Sequence, residues 1–529
     1  KMAESLIVNI SEGKVEGCFG TNLDGEQYFS FFGIPYAKAP VGELRFKAPQ
    51  PVEEWDGVRD ATKIGDSCAQ KDMLNTKVVK GSEHCLHLNV FTRTLPDEGS
   101  SLKPVMVWIH GGGFTSGSSD PKFFFGPEYI MTKDVVLVSI NYRIGFLGFL
   151  TLEDASLDVP GNAGMKDQVL ALKWVQRNIK HFNGDPNNVT IFGESAGGAS
   201  VHYLILSPSA KGLFHKAILQ SGVALNPWVA SNFNIYDFMN FIGREVKNEE
   251  EGLHILKDLR VDELVELQDE YLKTKLPFEV VGPTVEKPNP TAFLTKSPIE
   301  IITSGEWNKV PMMMGYTSNE GLLFAFGNDW FKDPQIESEH YIHPDMKLEK
   351  GCSTSKLICK KIKDYYSQEK NAYNPYMLHS DYYFVAGIIG SAKLHARTSN
   401  QPVYLYRVTP ETGLNVMKRL FKVENLPGVS HGDELGYLFK VSVGSEIELG
   451  EPEIQGIRRF LELWTNFAAH GNPTPGGTNL NVEWKSVEEE QVNILDIGQV
   501  LTMQTNPEME RMNLWKDIYQ LSPATAKYL

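Results

Sequence analysis

A chain of 529 residues, 42% hydrophobic and 22% charged, has an ordinary globular make-up and is long enough for a large α/β fold with insertions. Its net charge of −15, with no basic block, argues against nucleic acid or an anionic membrane as partner. No run of about eighteen apolar residues occurs, so no stable membrane insertion is expected.

The opening stretch KMAESLIVNISEGKVEG has no basic segment followed by an apolar one, and no signal peptide is expected there. Lys1 reads as a remnant ahead of a natural Met2-Ala3 start. The last residues, TAKYL, carry no retention or lipid signal. Five cysteines (Cys18, Cys68, Cys85, Cys352, Cys359) are too few for a disulfide scaffold and leave at least one thiol free. A cytoplasmic location is the expectation, with secretion as the alternative.

Short apolar, β-branched runs recur along the chain: PVMVWIH (104–110), DVVLVSINY (134–142), NVTIFG (188–193), KAILQSG (216–222), VPMMMG (310–315) and PVYLYRV (402–408). Separated by helical stretches, they predict a mostly parallel sheet buried on both faces. Between the second and third run, Met165, Val169, Leu172, Val175 and Ile179 form one apolar helical stripe, which Asn183-Gly184 should end. The charged, helical stretch from about 225 to 300 reads as an insertion over the sheet. Without repeats or a Gly/Ser linker, residues 1–529 are expected to form one α/β domain.

The chemistry-bearing stretch is GESAG (193–197), a G-x-S-x-G pattern with a strand before it and a helix-compatible run after it. A sharp strand-to-helix turn would lift the Ser195 hydroxyl above the sheet. Gly193 and Gly197 would leave room for the crowded backbone, and the helix N-terminus would favour developing negative charge. Upstream, HGGGF (110–114) follows a strand. Its glycines can aim backbone N–H groups of Gly112 and Gly113 at one spot, with the N–H of Ala196 completing an oxyanion hole.

These motifs, with FFGIPYAKAPVGELRFKAPQP (31–51), SEHCLHLNV (82–90), INYRIGFLGFL (140–150), PGNAGMKDQ (160–168), MMGYTSNEG (313–321) and GVSHGDELGYLF (428–439), run almost end to end in order. The chain resembles the type-B carboxylesterase/cholinesterase family of α/β-hydrolases, and most of all the soluble insect carboxylesterases. The resemblance implies a Ser–Glu–His triad of Ser195, Glu320 and His431, with Glu194 and Ser221 close behind it. From the residues alone His431 competes with His340, His343, His379, His395 and His470, all downstream of the acid. The resemblance also implies ion pairs Arg45–Glu83 and Arg143–Asp167, and a Cys68–Cys85 disulfide that a reducing compartment would leave open.

Departures from the family pattern narrow the substrate. The stretch between Cys68 and Cys85 has no tryptophan, the residue with which cholinesterases hold a quaternary ammonium by cation–π attraction. Hormone esterases of the family usually carry Gln where Glu194 stands. His84 and His87 replace Asp and Tyr, but no metal motif accompanies them. Trp228 matches an acyl-pocket tryptophan of insect relatives, and Phe278 and Phe324 are further pocket candidates.

The expected activity is hydrolysis of small to medium apolar carboxyl esters through an acyl-enzyme, without cofactor or metal. Xenobiotic esters are the expected substrates and organophosphates the expected inhibitors. A juvenile hormone, pheromone or odorant esterase, or a stoichiometric organophosphate scavenger, is the alternative. The sequence leaves the oligomeric state open.

Overall fold

The apolar runs of the sequence lie side by side at the centre of an eleven-stranded sheet. The computed structural model describes residues 6–72, 75–97, 99–275, 281–325, 338–368, 376–444, 446–489 and 491–529. In chain order the strands are β1 (Cys18–Thr21), β2 (Gln27–Pro35), β3 (His87–Thr92), β4 (Lys103–Ile109), β5 (Val136–Ile140) and β6 (Gly184–Glu194). They continue as β7 (Lys216–Gln220), β8 (Met312–Thr317), β9 (Val403–Val408), β10 (Asn493–Ile497) and β11 (Leu501–Thr505). Across the sheet the order is β1-β2-β3-β5-β4-β6-β7-β8-β9-β10-β11.

From β5 across to β10 every pairing is parallel. The margins are antiparallel, with β1, β2 and β3 on one side and β11 on the other. The outermost strands are less visible in the sequence because an edge strand need not be buried on both faces. β1, for example, alternates half-buried and exposed residues and has no apolar run.

Side chains alternate across the central strands and divide the core in two. Val107, Ile191 and Leu219 join the apolar cluster on one face, which includes Trp174, Leu204 and Trp228. Their neighbours Trp108, Phe192 and Ile218 join the other, with Phe439, Phe460 and Trp464.

The predicted stripe lies on helix α1 (Ala163–Asn178), where Met165, Val169, Leu172 and Val175 are all buried. A short 3-10 turn carries Ile179, and Asn183 then takes φ 67°, the left-handed conformation that ends the element. The charged stretch from about 225 to 300 contains helices Ile235–Phe241, Glu249–Asp258, Val261–Leu272 and Pro298–Ser304.

Two ion pairs fasten these parts. Arg45 grips Glu83 at 2.7 and 2.6 Å. Its remaining nitrogen caps the carbonyls of Leu256, Lys257 and Leu259, at the end of helix Glu249–Asp258. Arg143 makes a two-pronged pair with Asp167 at 2.8 and 2.7 Å, both side chains being buried. Cys68 and Cys85 are joined in a disulfide, closing a loop that contains the Gln70–Lys71/Val79–Lys80 hairpin. Among the described residues no helix is long and apolar enough to cross a membrane.

Candidate active site

Strand β6 ends at Glu194, and helix α2 (Ala196–Leu206) begins two residues later. Ser195 stands between them with φ 59° and ψ −124°, a conformation that side-chain-bearing residues seldom adopt. The turn requires glycine on both sides. A Cβ on Gly197 would lie 2.0 Å from the Ile109 carbonyl oxygen, and one on Gly193 would lie 2.6 Å from the same atom. As the first helical residue, Ala196 has an N–H with no intrahelical acceptor by position.

The HGGGF loop lies against this turn: a Cβ on Gly111 would meet the Glu194 carbonyl oxygen at 2.7 Å. Gly112 has φ 113°, and its carbonyl accepts the N–H groups of Thr115 and Ser116. That bonding turns the carbonyl into the loop's own turn. Gly112, Gly113 and Ser195 line one cleft.

The far end of the glycine loop is held by Gln70, whose amide donates to the Gly117 carbonyl and accepts the Gly117 N–H, both at 2.8 Å. The same side chain also donates to the Cys68 carbonyl, so the disulfide-closed loop and the glycine loop share one clamp. No motif marks Gln70, because its partner is 47 positions away.

Glu320 opens a short 3-10 turn just after β8 and is fully buried. One of its oxygens accepts the Thr317 N–H at 2.7 Å and the Ser221 hydroxyl at 2.6 Å; the other lies 2.6 Å from Nδ1 of His431. A carboxylate on Nδ1 orients the ring, makes Nδ1 the donor and turns Nε2 outward. Phe384 packs on the His431 ring with centroids 4.6 Å apart. Nε2 lies 3.1 Å from Glu194 Oε1 without hydrogen-bond alignment, leaving that carboxylate oxygen without a hydrogen bond.

The charges interact strongly. Burial opposes the charged His431 ring, but Glu194 and Glu320 together outweigh it and raise its pKa above the ordinary histidine value. Burial raises the Glu194 pKa; the His431 charge opposes this and Glu320 adds to it. Glu434, buried beneath and held by Gln220 at 3.2 Å, is raised by burial and by the Glu194 and Glu320 charges.

The other downstream histidines have separate surroundings. His395 pairs with His202 at 2.7 Å, His343 lies 3.3 Å from the Leu225 carbonyl, and His379 lies 3.3 Å from the Tyr341 hydroxyl. His340 is in the 3-10 turn Ser338–Tyr341, and His470 ends helix Glu451–His470. Only His431 is brought to Glu320 and to the cleft that Ser195 lines.

That cleft encloses about 320 Å³. Phe124 and Phe125, of one apolar cluster, and Trp228 and Phe384, of the other, line it together with Phe123, Leu323, Met417 and Phe421. Trp228 is fixed by an indole N–H bond to the Tyr383 carbonyl at 2.7 Å. Phe324 packs on Tyr383 and His379, at 4.8 and 5.3 Å between ring centroids, and its neighbour Leu323 takes the cleft wall. Phe278 lies outside the described residues.

His84 and His87 diverge as well. His84 is exposed, whereas His87 is buried with Nε2 2.7 Å from the Asp66 carbonyl, and burial lowers its pKa to about 4. Among the described residues no group of three or more His, Cys, Asp or Glu side chains is placed to hold a metal.

A parallel sheet bordered by antiparallel strands, with a strained serine at the β6–α2 turn, is the architecture of an α/β-hydrolase. The carboxylesterase family profile matches residues 4–515, and the chain belongs to that family of ester hydrolases. It is similar to the juvenile hormone esterase of Tribolium castaneum, at 36% identity over 93% of this chain and 88% of that one. Esterase B1 of Culex pipiens is 33% identical over 98% of both chains. Among solved structures, the juvenile hormone esterase of Manduca sexta with OTFP covalently attached superposes with a TM-score of 0.86. It has 30% identity and covers 98% of this chain and 100% of that one.

Proposed function

We propose that this carboxylesterase hydrolyses small to medium apolar carboxyl esters through an acyl-enzyme on Ser195. The supporting observation is the Glu320–His431 contact of 2.6 Å at the margin of a cleft that His431 and Ser195 both line. His431 takes the Ser195 proton as Oγ adds to the ester carbonyl. The N–H groups of Gly112, Gly113 and Ala196 receive the oxyanion, a charge concentrated by the surrounding apolar wall. As the carbonyl re-forms, the C–O bond to the alcohol breaks and His431 returns the proton to the leaving oxygen. Water then adds to the acyl-enzyme, giving its proton to His431, and collapse releases the acid and restores Ser195. Glu320 orients the ring and stabilises its charged form throughout.

Apolar xenobiotic esters suit the aromatic and thioether wall of the cleft, and organophosphates suit the same nucleophile. Phosphorylated Ser195 would shed its group slowly, so detoxification would include stoichiometric trapping. A hormone esterase is the second reading, favoured by the names of the Tribolium and Manduca relatives. Glu194, in place of the Gln usual in such esterases, supports the general esterase. The Cys68–Cys85 bridge fits an oxidising compartment and supports the secreted alternative over the cytoplasmic one.

Steady-state kinetics on naphthyl and nitrophenyl esters test the reading. Sustained turnover that disappears in Ser195→Ala is expected; a single burst equal to the enzyme concentration would restrict the protein to trapping.

A further inference from the structure

Two residues beyond His431 stands Asp433, a fully buried carboxylate that accepts four hydrogen bonds from two separate segments. Oδ1 takes the backbone N–H groups of Met417 at 2.8 Å and Lys418 at 3.1 Å, in the first turn of helix α3 (Val416–Phe421). Oδ2 takes the Ser430 N–H at 2.7 Å and the Asn415 amide at 3.3 Å. Ser430 immediately precedes His431, and α3 carries Met417 and Phe421 on the cleft wall. One side chain therefore joins the imidazole loop to a wall of the cleft.

Two further contacts stiffen this junction. Lys418, also buried, reaches back with its ammonium to the carbonyls of Leu426 at 2.6 Å and Gly428 at 2.8 Å, fixing the start of the His431 loop. On the cleft side, Met417 Cγ lies 3.1 Å from where a Cβ on Gly432 would stand. A tilt of α3 would therefore press on the residue after His431. Burying a carboxylate is costly unless its lone pairs are filled, and here both oxygens have two donors.

We propose that Asp433 is a positioning residue that sets the His431 imidazole and the Met417–Phe421 wall as a single unit. This rests on His431 acting as the base for Ser195. His431 delivers its proton to the leaving oxygen, so the wall beside it borders the alcohol half of the ester. Asp433 thereby links recognition of the alcohol to the aim of the base.

The test uses two acetates that share an acyl group, ethyl acetate and 1-naphthyl acetate, with Asp433→Asn and Asp433→Ala in the full chain. Active sites are counted by titration with an organophosphate, so that kcat refers to working enzyme. In Asp433→Ala, kcat per site should fall about a hundredfold for both esters, the scale of a misplaced catalytic group. KM should rise for naphthyl acetate only. Asp433→Asn, whose single amide oxygen can accept from one segment while its NH₂ meets donors of the other, should lie between. A merely architectural role would lower the number of active sites or the melting temperature and leave per-site kcat and KM within about twofold of the parent. That result would overturn the inference, and if Asp433→Ala fails to fold, Asp433→Asn alone decides. Ser195→Ala separates the two levels: turnover surviving there would remove the catalytic reading, whereas its loss alongside normal Asp433 variants would remove only this inference.

Discussion

Glu194 Oε1 and His431 Nε2 lie 3.1 Å apart, on the ring edge opposite the one that Glu320 holds. The imidazole is thus flanked by carboxylates, and both raise its pKa against the effect of burial. In the proposed mechanism the neutral ring is the base, so a carboxylate that favours the charged ring delays activity to higher pH. Glu194→Gln removes one of these charges without changing shape. The acid limb of kcat/KM should move toward lower pH by about 1, because the charged ring loses a neighbour that stabilises it. A limb that stays in place or moves upward would show that Glu194 does not act on the titrating group.

Gln70 holds Gly117 by two hydrogen bonds and so fixes the loop whose other end supplies Gly112 and Gly113. Gln70→Ala should lower kcat by about ten- to a hundredfold, short of the loss of an oxyanion donor itself. KM should change little, since Gln70 stands at the cleft margin. Pre-steady-state acylation rates would read this directly; an unchanged rate would free the glycine loop from dependence on the clamp.

Trp228 faces the cleft with its indole locked on the Tyr383 carbonyl. Trp228→Leu opens that wall, and branched acyl esters should gain about tenfold in kcat/KM relative to acetate. A panel of nitrophenyl esters differing only in the acyl group measures the ratio. No change would take Trp228 out of acyl recognition.

Arg143 and Asp167 form a buried two-pronged pair that joins the loop after β5 to helix α1. Arg143→Met leaves Asp167 buried without its partner and should cost about 3–5 kcal/mol in denaturant unfolding. Arg143→Met with Asp167→Leu should recover part of that loss. If the double variant is no more stable than the single one, the pair's geometry matters more than the stranded charge.

Much of this was legible in the sequence because it depends on local constraints. GESAG between a strand and a helix fixes the Ser195 turn, and the glycines of HGGGF mark a loop that must approach it. The apolar runs locate the parallel centre of the sheet. Contacts that depend on distant partners left no such mark. Gln70 on Gly117 and Asp433 on α3 are ordinary polar residues until the chain brings their partners to them. Nothing in the sequence marks Phe123, Phe124, Phe125, Met417 and Phe421 as cleft wall, because a cleft wall and a core have the same composition. His431 was separable from its competitors only by resemblance; in the structure the 2.6 Å contact with Glu320 distinguishes it.

The most direct test of the catalytic account is to trap the intermediate. Enzyme mixed with excess nitrophenyl butyrate is acid-quenched within milliseconds, digested and weighed by mass spectrometry. The account predicts one butyryl group on Ser195, absent from Ser195→Ala and accumulating in step with the nitrophenol burst. A butyryl group on another residue, or steady turnover with no acylated peptide at any time, would contradict it.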